Sequence, residues 1–324
     1  MFNTRSAPGR PRTIWAVTSG DGPFVQGGVP PAEVAVDERL IRGLLRSQHP
    51  DLAGLPLRHV ATGWDNVTSR LGDRLAVRLP RIRGAAALIL LEQTWLPWLA
   101  GHLPVAVPVP VRQGTPGPGF GWPWSVVPWV DGRTADRAPL DVRQAGVFGR
   151  FLASLHRPPP PGFPRNDWRG VPLASLSETV ERKLTALGEA SAGPPVPCEA
   201  VRDRWRDAVR APADVADTCI HADLHPRNLV VRDGALAAVL DWGDMTAGDP
   251  AADLAAAWLL FPVTAHTAIW SAYGPITART MARAQGWAVF FGTALLDSGR
   301  AGDPALATIG RVALERVAAS RAGS

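Results

Sequence analysis

Residues 221–255 read HADLHPRNLVVRDGALAAVLDWGDMTAGDPAADLA, and their pattern settles the architecture. Only 19% of the chain is charged, yet aspartates, two histidines and an asparagine here interrupt a run of Leu, Val and Ala. Asp233-Gly234 is a two-residue turn signal, because a type I′ turn needs positive φ at both central positions. It joins LVVR to ALAAVL, both apolar enough to be buried as strands. Such a hairpin brings Asn228 and Asp241 to one open end, almost opposite each other. Two oxygen donors from neighbouring strand ends suit a partly hydrated Mg²⁺, which is held by few carboxylates plus substrate phosphates. Asp223 precedes Asn228 by five residues, in the loop that enters the first strand. It lies near such an ion without having to bind it, as a base that accepts a hydroxyl proton should.

The order His-x-Asp-x₄-Asn followed by Asp-x-Gly resembles the catalytic loop and metal aspartate of kinase-type phosphotransferases. From about residue 55 onward the chain is similar to the aminoglycoside phosphotransferase family, within the protein-kinase-like fold. The resemblance implies that Asp223 is the catalytic base, that Asn228 and Asp241 hold Mg²⁺, and that His221 braces the loop. Asp253, in GDPAADLA, would start the next helix and anchor the catalytic-loop backbone.

Kinases also need a basic residue on the third strand to grip the α- and β-phosphates, paired with a Glu on the next helix. Arg78 in LAVRLP and Glu92 in LILLEQTWL occupy those places. Protein kinases use Lys there, but the one lysine of this chain, Lys183, falls in a helical region, so Arg78 is the candidate. A guanidinium grips phosphate bidentately, with a different reach. Alternation puts Ala76, Arg78 and Pro80 on one side of the strand and Val77 and Leu79 on the other. With Val77 and Leu79 in the core, Arg78 would point into the cleft, where Glu92 is expected only to orient it. Gly63-Trp64-Asp65-Asn66 stands where the phosphate-covering loop would lie, without the repeated glycines of protein kinases. Ser125 to Val130, with Val127 and Trp129, is the expected hinge whose backbone meets the purine.

The implied donor is ATP, with GTP open, and the implied partner is a small-molecule hydroxyl acceptor of the aminoglycoside or macrolide antibiotic type. From Leu254 onward the carboxylates are Asp297, Asp303 and Glu315 against six arginines, a balance that favours a less cationic acceptor, such as a macrolide or a metabolic sugar or alcohol. A kinase of a metabolic sugar or alcohol is therefore an alternative, as is a non-catalytic nucleotide-binding protein on the same fold.

Around this centre the expected architecture is α+β and bilobal. A loose arm (1–30) precedes a small N-lobe (31–127) with an antiparallel sheet and helix. A hinge (128–132) then leads to a larger, mainly helical C-lobe (133–324) that holds the catalytic hairpin. Strands are expected in LRHVAT, NVTSRL and DRLAVRLP, and helices over 31–49, 84–100, 140–156, 173–190, 198–210 and from Pro250 on. A chain of 324 residues, 46% hydrophobic, has ample core. Net charge is +5, carried almost wholly by scattered arginines, a distribution that argues against nucleic-acid binding. Cys198 and Cys219 form no disulfide framework and suit a reducing, cytoplasmic compartment. No apolar run has the length of a membrane span.

His221 and His225 around Asp223 also resemble half of a zinc site, but the other histidines are isolated and supply no second ligand motif. Asp249 before Pro250 reads as a helix cap. Asp244 either touches a second metal ion or solvates the loop. The tryptophans of GWPWSVVPWV fit core and hinge packing better than a substrate platform.

Overall fold

The computed structural model describes residues 31–189, 196–300 and 302–320, so the arm expected over 1–30 lies outside the described residues. The first helix, α1 (Glu38–Gln48), starts later than apolar spacing alone suggested. Asp37 accepts the N–H of Leu40 at 2.7 Å and caps it, while Glu33 upstream donates its N–H to Arg81 O at 2.9 Å. The segment from Pro31 is thereby held irregular beside the sheet.

Next come β1 (Leu57–Thr62), β2 (Asn66–Leu71), β3 (Leu75–Pro80), α2 (Arg83–Ala100), β4 (Arg112–Gly114) and β5 (Trp124–Pro128). The strands form one antiparallel sheet in the order β1-β2-β3-β5-β4. One face buries Leu71, Val77, Leu79, Trp124 and Val126 against Ile41 and Leu44 of α1. The opposite face of β3, with Arg78, looks toward α2, whose Gln93 donates to Trp124 O at 2.9 Å and Ser125 Oγ at 3.1 Å. Leu96 and Leu99 at the far end of α2 belong to a second, larger core.

The larger part begins with β6 (Arg133–Thr134), α3 (Ala145–Leu155), α4 (Ser177–Glu189), α5 (Cys198–Arg210) and β7 (Thr218–Ile220). It continues with β8 (Leu229–Arg232), β9 (Ala235–Val239), β10 (Thr246–Gly248), α6 (Ala251–Leu254) and α7 (Ala256–Leu260), then α8 (His266–Tyr273), α9 (Ala278–Arg300) and α10 (Pro304–Ala319). Asp233 and Gly234 turn β8 into β9 with φ of 51° and 76°, the positive pair that a type I′ turn demands. Phe148, Trp205, Trp258 and Trp287 are fully buried in the core around α9. Lys183 on α4 meets Asp297 on α9 at 3.0 Å and ties the two helices together. The architecture is the expected α+β one: a small antiparallel sheet with its helices beside a mainly helical part that carries the hairpin. No helix among the described residues is long and apolar enough to cross a membrane.

Candidate active site

The catalytic-loop candidates gather around Asp253, which is fully buried. Its carboxylate accepts the backbone N–H of His221 and of Ala222, each at 2.7 Å. Two charge-assisted bonds of this kind hold Ala222 at φ 67°, a left-handed conformation that costs a residue with a Cβ. His156, one of the histidines isolated in sequence, adds its Nε2 at 3.4 Å from Asp253. His221 lies against the ring of Trp242 at 4.5 Å between centroids. Its Nε2 lies 2.9 Å from Leu240 O, and Nδ1 accepts the N–H of Asp223 at 3.2 Å. The imidazole therefore links the hairpin's end to the loop it braces. His225 caps the next turn by accepting Arg227 N–H at 3.2 Å, so both histidines have local structural partners.

At the open end of the hairpin, Leu240 N–H donates to Asn228 O at 2.7 Å, which puts Asn228 and Asp241 side by side. The Asn228 amide donates to Asp223 O at 2.9 Å and to Asp223 Oδ2 at 3.3 Å. That pairing turns its carbonyl oxygen, the atom a metal ion would take, the other way. Asp241 is a second residue with positive φ (58°), and its side chain is 49% exposed. Arg78 reaches it from β3 with Nη2–Oδ1 at 3.3 Å, while Nη1 of the same guanidinium lies 2.8 and 2.6 Å from the two Glu92 oxygens. Glu92 also accepts the backbone N–H of Trp242 at 3.0 Å, a contact beyond the orienting role expected of it. Burial opposes the Arg78 charge, but Glu92 and Asp241 outweigh it and hold its pKa above the ordinary value.

The site is crowded with negative charge. Burial and the neighbouring Asp241, Asp244 and Asp223 push the Asp65 carboxyl up to about 7. Burial raises Asp223 too, yet Arg169 and His225 bring it well below the usual carboxylate range. Burial, with Asp223 and Asp241 nearby, raises Asp244 against the pull of Arg169. Hard oxygen donors with an excess of negative charge fit Mg²⁺ held by Asn228 and Asp241. Among the described residues, no three or more His, Cys, Asp or Glu side chains are grouped as a metal cage.

Arg169 is the member of the site that its sequence did not announce. Its guanidinium lies 3.2 Å from Asp223 Oδ1 and 3.1 Å from Asp244 Oδ2, over the ring of Phe291 at 5.6 Å. It arrives on the 164–170 loop, which is docked onto β10. Ala247 N–H donates to Pro164 O at 2.8 Å, and Asn166 N–H to Thr246 Oγ1 at 2.9 Å. The Asn166 oxygen accepts the N–H of Trp168 and of Arg169, and its amide reaches Asp244 Oδ1 at 3.2 Å. Gly170 (φ 67°) then passes Gly248 so closely that a Cβ would stand 3.1 Å from its Cα. Asp244 is thus tied to this loop, and Asp249 both caps Ala251 N–H at 3.0 Å and pairs with Arg283 at 2.5 Å.

The nucleotide-side candidates are less concentrated. Asn66 begins β2 opposite Pro80 and is buried with its side-chain oxygen unpartnered. Val127 is buried on β5 in register with Ala76. Trp129 donates its backbone N–H to Arg74 O at 2.8 Å and its indole N–H to Asp131 at 2.9 Å. That backbone donor is engaged in the sheet, so a purine at the connector would be met by other main-chain groups.

A sequence profile of the phosphotransferase enzyme family matches residues 56–287. Among solved structures, the GDP complex of a mutant aminoglycoside 2′-phosphotransferase-IIIa is 19% identical, with TM-score 0.64, over 87% of this chain and 97% of that one. Macrolide 2′-phosphotransferase MphH from Brachybacterium faecium is 22% identical, with TM-score 0.56, over 85% and 97%. The streptomycin–ATP ternary complex of APH(2″)-IIa is 15% identical, with TM-score 0.52, over 79% and 90%. At such identities the likeness is one of fold. No curated protein sequence matches the chain.

Proposed function

The chain belongs to the phosphotransferase enzyme family, and from that premise we propose that it transfers the γ-phosphate of ATP or GTP to a hydroxyl of a small molecule. The observation that carries this proposal is the meeting of Arg78 and Asp241 at 3.3 Å, from positions 163 residues apart. A fixed cation for phosphate oxygens and a carboxylate for their counterion are thereby side by side. GDP and ATP in the complexes of the structural neighbours support a nucleotide donor.

In this scheme Arg78, steadied by Glu92, grips the donor phosphates. Asn228 and Asp241 would hold Mg²⁺, which when bound neutralises charge on the transferring group. Asp223 orients the acceptor hydroxyl and receives its proton on a carboxylate oxygen. His221 and Asp253 keep the loop that presents Asp223 in one conformation. Nearly all of the rate enhancement would come from positioning and fixed charge rather than covalent chemistry. The aminoglycoside and macrolide enzymes among the neighbours suggest an antibiotic as acceptor.

The test is a panel of hydroxyl compounds incubated with Mg²⁺ and labelled ATP or GTP, read as a mass gain of one phosphoryl group. Transfer that is lost in Asp223→Asn supports the proposal. Nucleotide binding without turnover on any compound, or on water, would identify a non-catalytic nucleotide-binding protein instead.

A further inference from the structure

Both oxygens of Asp223 have partners within the chain. Oδ2 faces Asn228 Nδ2 at 3.3 Å and His225 Nε2 at 3.5 Å, both from the catalytic loop itself. Oδ1 faces Arg169 at 3.2 Å, and Arg169 comes from a separate, firmly docked loop with its side chain only 5% exposed. We infer that Arg169 is a specificity-determining residue that makes this site select an acceptor without an ammonium group beside the reacting hydroxyl. The favoured class is a neutral sugar or polyol, and the disfavoured one is an amino sugar. This deepens the phosphotransferase activity proposed above and rests on it.

The physical reason is a shared oxygen. A hydroxyl that hands its proton to Asp223 does so at a carboxylate whose Oδ1 already lies within hydrogen-bond reach of a guanidinium. An ammonium on the adjacent carbon would be carried to carboxylate oxygens of Asp223 and Asp244 that Arg169, Asn166 and Asn228 already occupy, so it would have to compete with a like-charged guanidinium for them. Arg169 gives no relief by losing its proton, since a guanidinium stays charged.

Several acidic groups of the mainly helical part are already paired. Asp297 meets Lys183 at 3.0 Å, Asp303 meets Arg227 at 2.7 Å and Glu315 meets Arg311 at 2.6 Å. Asp214 and Asp249 share Arg283 at 3.0 and 2.5 Å. Trp168, next to Arg169, is 43% exposed, and its indole offers an apolar face on which an uncharged ring can pack.

The test uses acceptor pairs that differ only at the nitrogen: glucosamine against glucose and N-acetylglucosamine, and an aminoglycoside against its per-N-acetylated form. Each is run with the native protein, Arg169→Gln and Arg169→Lys, with nucleotide hydrolysis in water as a separate readout of the phosphate-transfer machinery. The native protein should favour the neutral member in kcat/KM by about ten-fold or more. That ratio should collapse toward one in Arg169→Gln and persist in Arg169→Lys, whatever the change in absolute rate. Preference for the amine-bearing member, a ratio that Arg169→Gln leaves unmoved, or nucleotide hydrolysis with no neutral compound phosphorylated would each overturn the inference while phosphotransferase activity stands. Absence of both hydrolysis and transfer would remove the activity and the inference together.

Discussion

Glu92 on α2 accepts the backbone N–H of Trp242 at 3.0 Å, across 150 positions of sequence. The same carboxylate holds Arg78 on β3, so one buried side chain fastens the Asp241 segment to the sheet. Sheet, helix and hairpin end meet there through charge rather than apolar packing.

Removing that carboxylate should cost stability as well as activity. Glu92→Ala leaves the Arg78 charge without its closest partner and should destabilise the fold by about 3–5 kcal/mol. Denaturant unfolding followed by tryptophan fluorescence measures it. An unchanged midpoint would show that the link carries no weight.

Arg78→Ala should weaken nucleotide binding or slow transfer severely, while Arg78→Lys should retain a measurable part of the activity through its remaining positive charge. Calorimetric nucleotide titration beside turnover separates the two effects. Equal loss in both variants would mean that the bidentate geometry, not the charge, matters.

Asp223→Asn should lower turnover roughly 10²–10⁴-fold with little change in nucleotide affinity, as the loss of a positioned base does. Near-native turnover would move the base elsewhere. Asp241→Ala should instead abolish Mg²⁺-dependent nucleotide binding. Protein stripped with EDTA should recover with Mg²⁺, and recovery with Zn²⁺ alone would contradict the assignment.

Asp253→Ala takes the acceptor from two buried amides, at about 1–3 kcal/mol each, and releases Ala222 from its left-handed conformation. Amide exchange at His221 and Ala222 should accelerate before the rest of the fold does. Uniform protection in the variant would rule out this anchoring role.

His266 supplies a pH dependence remote from the site. Burial beside Trp258 and Trp270 lowers its pKa to about 4, although Nε2 lies 3.1 Å from Ala257 O. The unfolded chain therefore binds a proton at higher pH than the folded one. Stability is full above the unfolded value near 6.5 and should fall by about 3 kcal/mol as pH drops toward 4. A His266→Phe variant should lose that slope when unfolding is followed across this range.

The hairpin is legible because its determinants are local: Asp233-Gly234 specify the turn and an apolar run stands on each side, whereas the register shift between Val230 and Val231 leaves no sign in the sequence. Arg78 could be placed because strand alternation is local too, with Val77 and Leu79 marking the core face. Helix α1 is shorter than its apolar spacing predicts, because Asp37 caps it and spacing alone does not register a cap. Arg169 gave no local sign, because its partners Asp223 and Asp244 lie 54 and 75 positions away and its loop looks like any Pro- and Gly-bounded connection. His156 is silent in the sequence for the same reason, its link to Asp253 spanning 97 positions.

The contact between Lys183 and Asp297 gives the molecule an unusual chemical signature. Every other basic side chain but histidine is a guanidinium, so an amine-seeking reagent meets a single lysine in the whole sequence. That lysine is only 10% exposed and pinned between α4 and α9. Its rate of labelling should therefore keep time with the parting of those two helices. A stopwatch for one local opening is already built into the chain, and no probe has to be engineered to read it.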